Sequence, residues 1–379
     1  MYVTRPSHLT TWLLTWLAPT VLLYSRLKHE FYTIDFIVNF DKYMTDHSPW
    51  LLTDDAFFHS VIMSTSAMQD FFLGQPLSDM TLHHLRKTLA LLNRRLSDGE
   101  LYQMDSTIWI ILTLAMVSGF FCDFSTTVTH IAGLRQIVHL QGGRGFLEAR
   151  PKMQFKLESL EFSSCLSSGA KARLWGPPMT WDAIFPSPSM APIDIPSLYT
   201  YDERIMAVLS DLRELVALAN SHVACELRLD GGVFQMAMSS IRYRSLFLLE
   251  DDGIRGTTAE LLCLGILAFL TTTFAVPGRR LPYPYLATRV RGTHWKQGIA
   301  ALRGSCHLDW WILLMCAMTV VDVEKESDRW FRDLWVREIN PETKWFTLRQ
   351  HMQKISWFPN IHDRLGQQTF LALGGKSGS

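Results

Sequence analysis

Leu82, Leu85, Leu89, Leu92 and Leu96 recur at spacings of three, four, three and four residues. Arg86, Lys87, Arg94 and Arg95 fall off that stripe. The period is helical, and a helix patterned this way has one face to bury against other helices. Residues 107–121 (TIWIILTLAMVSGFF) are apolar on every side, which predicts a helix at the centre of a core. Residues 126–140 place Ile131, Leu134 and Val138 on one face before Gln141, Gly142 and Gly143 end the helix. Residues 152–165 predict another amphipathic helix. Alternation at period two is hard to find, so the expected fold class is all-α, a large multi-helix domain of antiparallel helices.

The pattern breaks between Pro177 and Pro196, where six prolines fall within 20 residues. No helix survives that density, so a surface loop between two helical halves is expected. Helical spacing resumes at Ile205, Leu209, Leu212, Leu215 and Ala219, and continues over 234–249, 258–275, 310–321 and 343–357. Asp328 to Phe331 predicts a shorter helix start. The expected organisation is a hydrophobic extension (1–29), a first helical half (30–176), the Pro-rich loop (177–200), a second half (201–368) and a disordered tail (369–379).

Lys plus Arg and Asp plus Glu number 36 each, so the chain is formally neutral. Autonomous DNA binding rests on phosphate neutralisation and usually shows a basic excess, which is missing. Residues 9–25, 106–122 and 261–278 are uncharged but sit at the short end of the roughly 20 residues that span a bilayer. The second opens on Asp105, Ser106 and Thr107, read as a helix N-cap, and the third ends at Pro277-Gly278. The first resembles a signal peptide, with Pro19 at its centre and no small-x-small cleavage site. It leaves membrane anchoring by residues 9–25 as an alternative.

Six cysteines stand at 122, 165, 225, 263, 306 and 316. The closest pair is ten residues apart and the other gaps run from 38 to 60, whereas metal knuckles need ligands two to four apart. Reduced, buried thiols are expected. Asp54-Asp55 lacks a third carboxylate within a turn, Asp251-Asp252 has Glu250 beside it, and both pairs sit beside expected element ends, so they read as caps or turns rather than a magnesium site. The thirteen histidines are scattered, and His83, His84 and His307 lack ligand partners at i+3 or i+4. Gly142-Gly143-Arg144-Gly145 follows a helix rather than a strand and reads poorly as a phosphate cradle. Arg279, Arg280, Arg289, Arg291 and Lys296 interleave with Tyr283, Tyr285, His294 and Trp295, read as a loop followed by a solvated helix start. No catalytic residue, metal site or cofactor is expected.

Three segments in the first half carry a resemblance. Residues 90–98 read ALLNRRLSD, residues 107–121 form the apolar helix, and His130, Gly133, Leu134, Ile137, Val138, Leu140, Gly142 and Gly143 follow the pattern H-x-x-G-L-x-x-I-V-x-L-x-G-G. Arg135 follows that leucine, and Gln141 stands where an arginine is usual. The set resembles the fungal-specific transcription factor regulatory domain, the C-terminal domain of binuclear zinc-cluster transcription factors. Residues 57–72, Ile241 to Arg244, 261–274, Trp330-Phe331 and 345–363 fit the family in order, so the resemblance covers about residues 30–368. The zinc module needs closely spaced cysteines, and residues 1–121 contain none, so that DNA-binding module is lacking.

The resemblance implies a nuclear, non-enzymatic regulator of transcription with protein partners and without autonomous DNA binding. It allows a small apolar effector and a homodimer. His130, Gly133, Leu134, Arg135, Gly142 and Gly143 are expected to be structural, with Gly133 permitting close helix packing and the paired glycines a tight cap. No ligand-binding residue is placed. A helical enzyme acting on an apolar substrate is the other alternative.

Overall fold

The protein is described by a computed structural model covering residues 33–43, 48–98, 104–172, 179–186, 189–191, 202–273, 281–295, 299, 302 and 307–375. The described residues contain fifteen α-helices and one pair of two-residue strands, so the chain is all-α. Residues 1–29, with the proposed anchor, lie outside them, as do Cys306, Arg279, Arg280, Lys296, Pro277, Gly278 and the last four residues. No helix among the described residues is long and apolar enough to cross a membrane.

Two compact units divide the chain, the first within Met44–Ala149 and the second within Tyr32–Tyr43 and Arg150–Ser379. The division falls at Ala149–Arg150, not at the Pro-rich segment. The reason lies in the helix after Arg150, whose polar side chains are tied to a helix of the later chain, as described below.

In the first unit the helices are α1 (Ser48–Thr53), α2 (Asp55–Phe72), α3 (Asp79–Ser97), α4 (Asp105–Phe120), α5 (Phe124–Leu140) and α6 (Arg144–Glu148). Helix α2 packs on α3 and α4, and α4 packs on α5. Asp54 caps α2 by accepting from the Phe57 N–H at 3.0 Å, as expected for the first acidic pair. Burial alone would raise its carboxyl, but Arg95 and the Phe57 N–H outweigh that and hold it below its ordinary value. Arg95 also donates to Ser106 and Thr107, both at 3.3 Å, which ties the end of α3 to the start of α4. Helix α4 starts at Asp105 after Met104 without a side-chain cap, so the expected N-cap is not made by that cluster.

The leucine stripe of α3 is not its most buried line. That line runs through Thr81, His84, Thr88 and Leu92, while Leu82, Leu85 and Leu89 are half-buried and Leu96 is 41% exposed. Polar bonding sets the rotation. Asp70 accepts from the Ser78 N–H (2.8 Å), the Ser78 hydroxyl (2.9 Å) and the Thr81 hydroxyl (2.6 Å), closing the α2–α3 turn. Buried polar groups need partners more strictly than leucines need depth, so the hydroxyl edge faces inward.

The second unit holds α7 (Pro151–Ser168), α8 (Glu203–Ala224), α9 (Gly231–Glu250), α10 (Thr258–Thr271), α11 (Pro284–Gly292), α12 (Leu308–Thr319), α13 (Arg329–Glu338), α14 (Trp345–Ile355) and α15 (Pro359–Ala372). Strands β1 (Val38–Asn39) and β2 (Leu229–Asp230) pair in parallel. Beside them Gly231 is obligatory, because a Cβ there would lie 2.7 Å from the Asn39 carbonyl oxygen and 2.5 Å from Phe40.

Helix α10 is buried on every side from Ala259 to Thr271 and packs against α8, α9, α11 and α12. Each fully buried Leu, Ile or Phe contributes about 1.5–3 kcal/mol, so α10 anchors this core. Its end is set by hydroxyls: Thr271, Thr272 and Thr273 donate to the carbonyls of Ala268, Phe269 and Leu270. Helix α7, expected to be amphipathic, is buried over most of its surface, with Gln154, Glu158 and Glu161 inside.

The tail expected to be disordered from residue 369 instead continues α15 to Ala372. Phe370 stacks between Trp335 and Trp345, with ring centroids 6.3 and 5.9 Å away, and Leu373 is buried. The described part of the Pro-rich segment forms no helix but is fastened to α8. Asp211 accepts from the N–H groups of Ile184 and Phe185, and Glu214 from those of Ser189 and Met190. Arg213 donates to the Ala191 carbonyl at 2.9 Å.

Candidate functional site

The motif His130 to Gly143 forms α5 and its C-terminal cap. Leu134 is fully buried, with Ile131, Ile137 and Val138 beside it, while His130 and Arg135 are half-buried. Burial pushes the His130 pKa down against the pull of Asp123. The Gly143 N–H donates to the Val138 carbonyl at 2.8 Å and the Gly142 N–H to that of His139 at 3.2 Å. That bonding is a Schellman cap, with φ +105° at Gly142 and +62° at Gly143, values that only glycine adopts easily. The tight cap therefore forms as expected. Gly133 differs: no described atom lies within 4 Å of where its Cβ would be, so it is not a close-packing glycine. The motif lies along one helix and brings no reactive groups together.

Histidine pairs that spacing did not reveal come from folding. His59 of α2 meets His84 of α3 with Nδ1 to Nδ1 at 2.8 Å, so one ring donates and the other accepts. Burial lowers both pKa values, that of His84 to about 4 with help from His59 and His83. His362 is fully buried, and its Nδ1 accepts from the Phe358 N–H at 3.0 Å. Its Nε2 lies 2.8 Å from the Thr272 hydroxyl, whose proton goes to the Phe269 carbonyl. Nε2 is therefore the protonated nitrogen, and burial pushes the pKa down to about 3, so the ring is a neutral core bridge. No group of three or more His, Cys, Asp or Glu among the described residues is placed to hold a metal ion.

The least satisfied buried charge is Arg242, midway along α9 and 2% exposed. Its guanidinium carbon sits 5.0 Å from the Phe155 ring centre and 5.5 Å from that of Phe162, both on α7. One hydrogen bond is made, from Nη2 to the Thr273 hydroxyl at 3.3 Å, and Nε and Nη1 have no partner. Burial lowers its pKa to about 10, with Glu158 opposing, so it stays charged at neutral pH. Glu158 supplies that countercharge through space, because its own oxygens are occupied. Oε1 accepts from Gln154 (2.7 Å) and Ser239 (3.0 Å), and Oε2 accepts from Gln235 (2.8 Å). Burial raises the Glu158 pKa, and these donors and Arg242 oppose the rise. Tyr283 completes the surroundings, its phenol pushed up to about 12 by burial.

This cluster explains why α7 belongs to the second unit: Glu158, braced by Gln154 of its own helix, accepts from Gln235 and Ser239 of α9. Elsewhere in the unit, buried charges are paired directly. Arg244 donates to Asp211 at 2.6 Å, Arg289 to Glu260 at 2.6 Å, and Arg291 to both oxygens of Asp328 at 2.7 and 2.9 Å. The described arginines of the basic, aromatic-rich stretch are thus held in ion pairs, and Tyr283 and Trp295 are buried. Cys165, Cys263 and Cys316 are buried, whereas Cys122 and Cys225 are exposed. The resemblance takes in Ile241 to Arg244 but does not mark Arg242 as buried, since an arginine two residues from Arg244 reads like a surface position until its neighbours are known. No protein-family model, characterised protein or solved structure matches this chain.

Proposed function

We propose that this chain is an all-helical regulatory protein of transcription, of the fungal-specific transcription factor domain type. It acts in the nucleus through protein partners, without enzymatic chemistry and without binding DNA on its own. The observation that carries the reading is the His130–Gly143 segment, which folds as one helix with Leu134 inside and a glycine cap at its end. The neutral total charge and the pairing of Arg289 and Arg291 support a role that does not depend on phosphate contacts. A small apolar effector and self-association fit the same reading.

Tethering the chain to an unrelated DNA-binding module upstream of a reporter gene tests it. Transcription of the reporter should change, and Leu134→Asp should abolish the change by unseating α5. A tethered, folded chain that leaves reporter output untouched would remove the proposal.

A further inference from the structure

His59 and His84 meet where α2 packs on α3, with Nδ1 2.8 Å from Nδ1 and ring centroids 5.0 Å apart. The α2–α3 turn is closed by Asp70 on Ser78 and Thr81, so the two rings are held against each other by the fold itself. Burial keeps both rings neutral at pH 7, and the neutral imidazole is the form that ligates metal ions. One ring donates from Nδ1 and the other accepts there. Moving the donor's proton to its Nε2 frees a second lone pair at Nδ1 with no change in charge. Two nitrogens on a tetrahedral ion, each about 2.0–2.1 Å from it, lie about 3.3 Å apart, so the pair has to open by only about half an ångström.

His84 is buried and His59 half-buried, so an ion reaches the pair from the His59 side. Asp55, one turn before His59 on the same face of α2, exerts the largest single charge effect on that ring and favours a cation there, while Lys87 and His83 oppose it. Two imidazole nitrogens select zinc, copper or nickel over magnesium and calcium, which take oxygen ligands. Among the described residues no group of three His, Cys, Asp or Glu is placed around one ion, so water fills the remaining positions.

We propose that His59 and His84 form a two-histidine site in the first unit for a divalent ion of the zinc class, with Nδ1 of each ring as ligand and water completing the shell. The ion replaces the hydrogen bond between the rings and clamps α2 to α3. The site stands apart from the role in transcription, because it concerns binding alone and is read without a reporter.

Zinc chloride titrated into the metal-free full chain, followed by calorimetry and melting temperature, should bind saturably and raise the melting temperature. Magnesium chloride at the same concentration should do neither. On the unmodified chain, ring-proton NMR signals of His59 and His84 should shift together with zinc. His59→Gln and His84→Gln should each weaken zinc binding about tenfold or more, as loss of one of two protein ligands requires, whereas His351→Gln in the second unit should not. Zinc binding that neither variant weakens, an adventitious ion only, would overturn the proposal. So would an equal response to magnesium, signals of the pair that stay fixed, or the absence of saturable binding. The NMR shifts need no variant, so a substituted chain that failed to fold would not shield the proposal.

Discussion

The two units treat buried polar groups differently. In the first, the buried carboxylates sit at helix ends and close turns. Asp54 caps α2 and holds Arg95, and Asp70 gathers Ser78 and Thr81 at the α2–α3 turn. In the second, charges lie in mid-helix and deep in the core, where Arg242, Arg244, Asp211 and Glu158 are all nearly inaccessible. Arg244 and Asp211 are paired face to face, whereas Arg242 and Glu158 meet only through space. A polar group at a turn is explained by the backbone it satisfies. A mid-helix charge with unused donors has no such explanation, and both Arg242 (Nε, Nη1) and Arg244 (Nη1) are of this kind.

The comparison breaks most forcefully at Asp211. Asp211→Ala would strip the fully buried Arg244 of its partner and release the N–H groups of Ile184 and Phe185. A loss of about 3–5 kcal/mol in the stability of the second unit is expected, measured by urea unfolding. A loss below about 1 kcal/mol would mean the pair is not what holds that region, since exposed pairs contribute no more than that.

Acid should act on the first unit through its histidine pair. His59 and His84 have folded pKa values below the unfolded value of 6.5, that of His84 at about 4. The unfolded chain thus takes up more protons in acid, so stability is fully present above pH 6.5 and is lost as pH falls towards about 4. His130, His307, His351 and His362 are lowered too and act in the same direction. A His84→Gln comparison isolates the pair: the variant should lose less stability than the parent over that window. Parallel profiles would place the acid sensitivity elsewhere.

The smallest effects separate the glycines of one motif. Gly143→Ala forces an L side chain into a region that glycine favours and should cost about 1–3 kcal/mol. Gly133→Ala adds a methyl where no described atom lies within 4 Å, in the middle of α5. It should stabilise the helix by about 0.5–1 kcal/mol. Thermal unfolding of the two variants should therefore move in opposite directions, and a shared direction would refute the division of roles.

Helix positions were legible because leucine spacing, the uniformly apolar 107–121 stretch and the paired glycines are local signals. The acidic pairs also read correctly, since Asp54 and Asp251 bond to N–H groups two or three residues ahead. The face of α3 was misread by counting leucines, because the hydroxyls and His84 that face α2 obtain their partners from another helix. The end of α15 was misread for a similar reason: Phe370 is ordered by Trp335 and Trp345, residues 25 or more positions earlier. The burial of Arg242 was not legible, although Ile241 to Arg244 fell within the resemblance. Its meaning depends on Glu158 being 84 positions away and already fully bonded, which no spacing rule conveys.

The central claim is that Glu158, with Arg242 as its buried countercharge, ties α7 to α9 through neutral donors. Urea unfolding of Arg242→Met/Glu158→Gln tests it most directly, because both charges leave together while side-chain volume is nearly kept. The account expects the double variant to be less stable than the parent by about 2 kcal/mol or more, because an amide at position 158 sets its own donor against those of Gln154, Gln235 and Ser239. A double variant as stable as the parent would contradict it, since the network would then add nothing to the joining of α7 and α9.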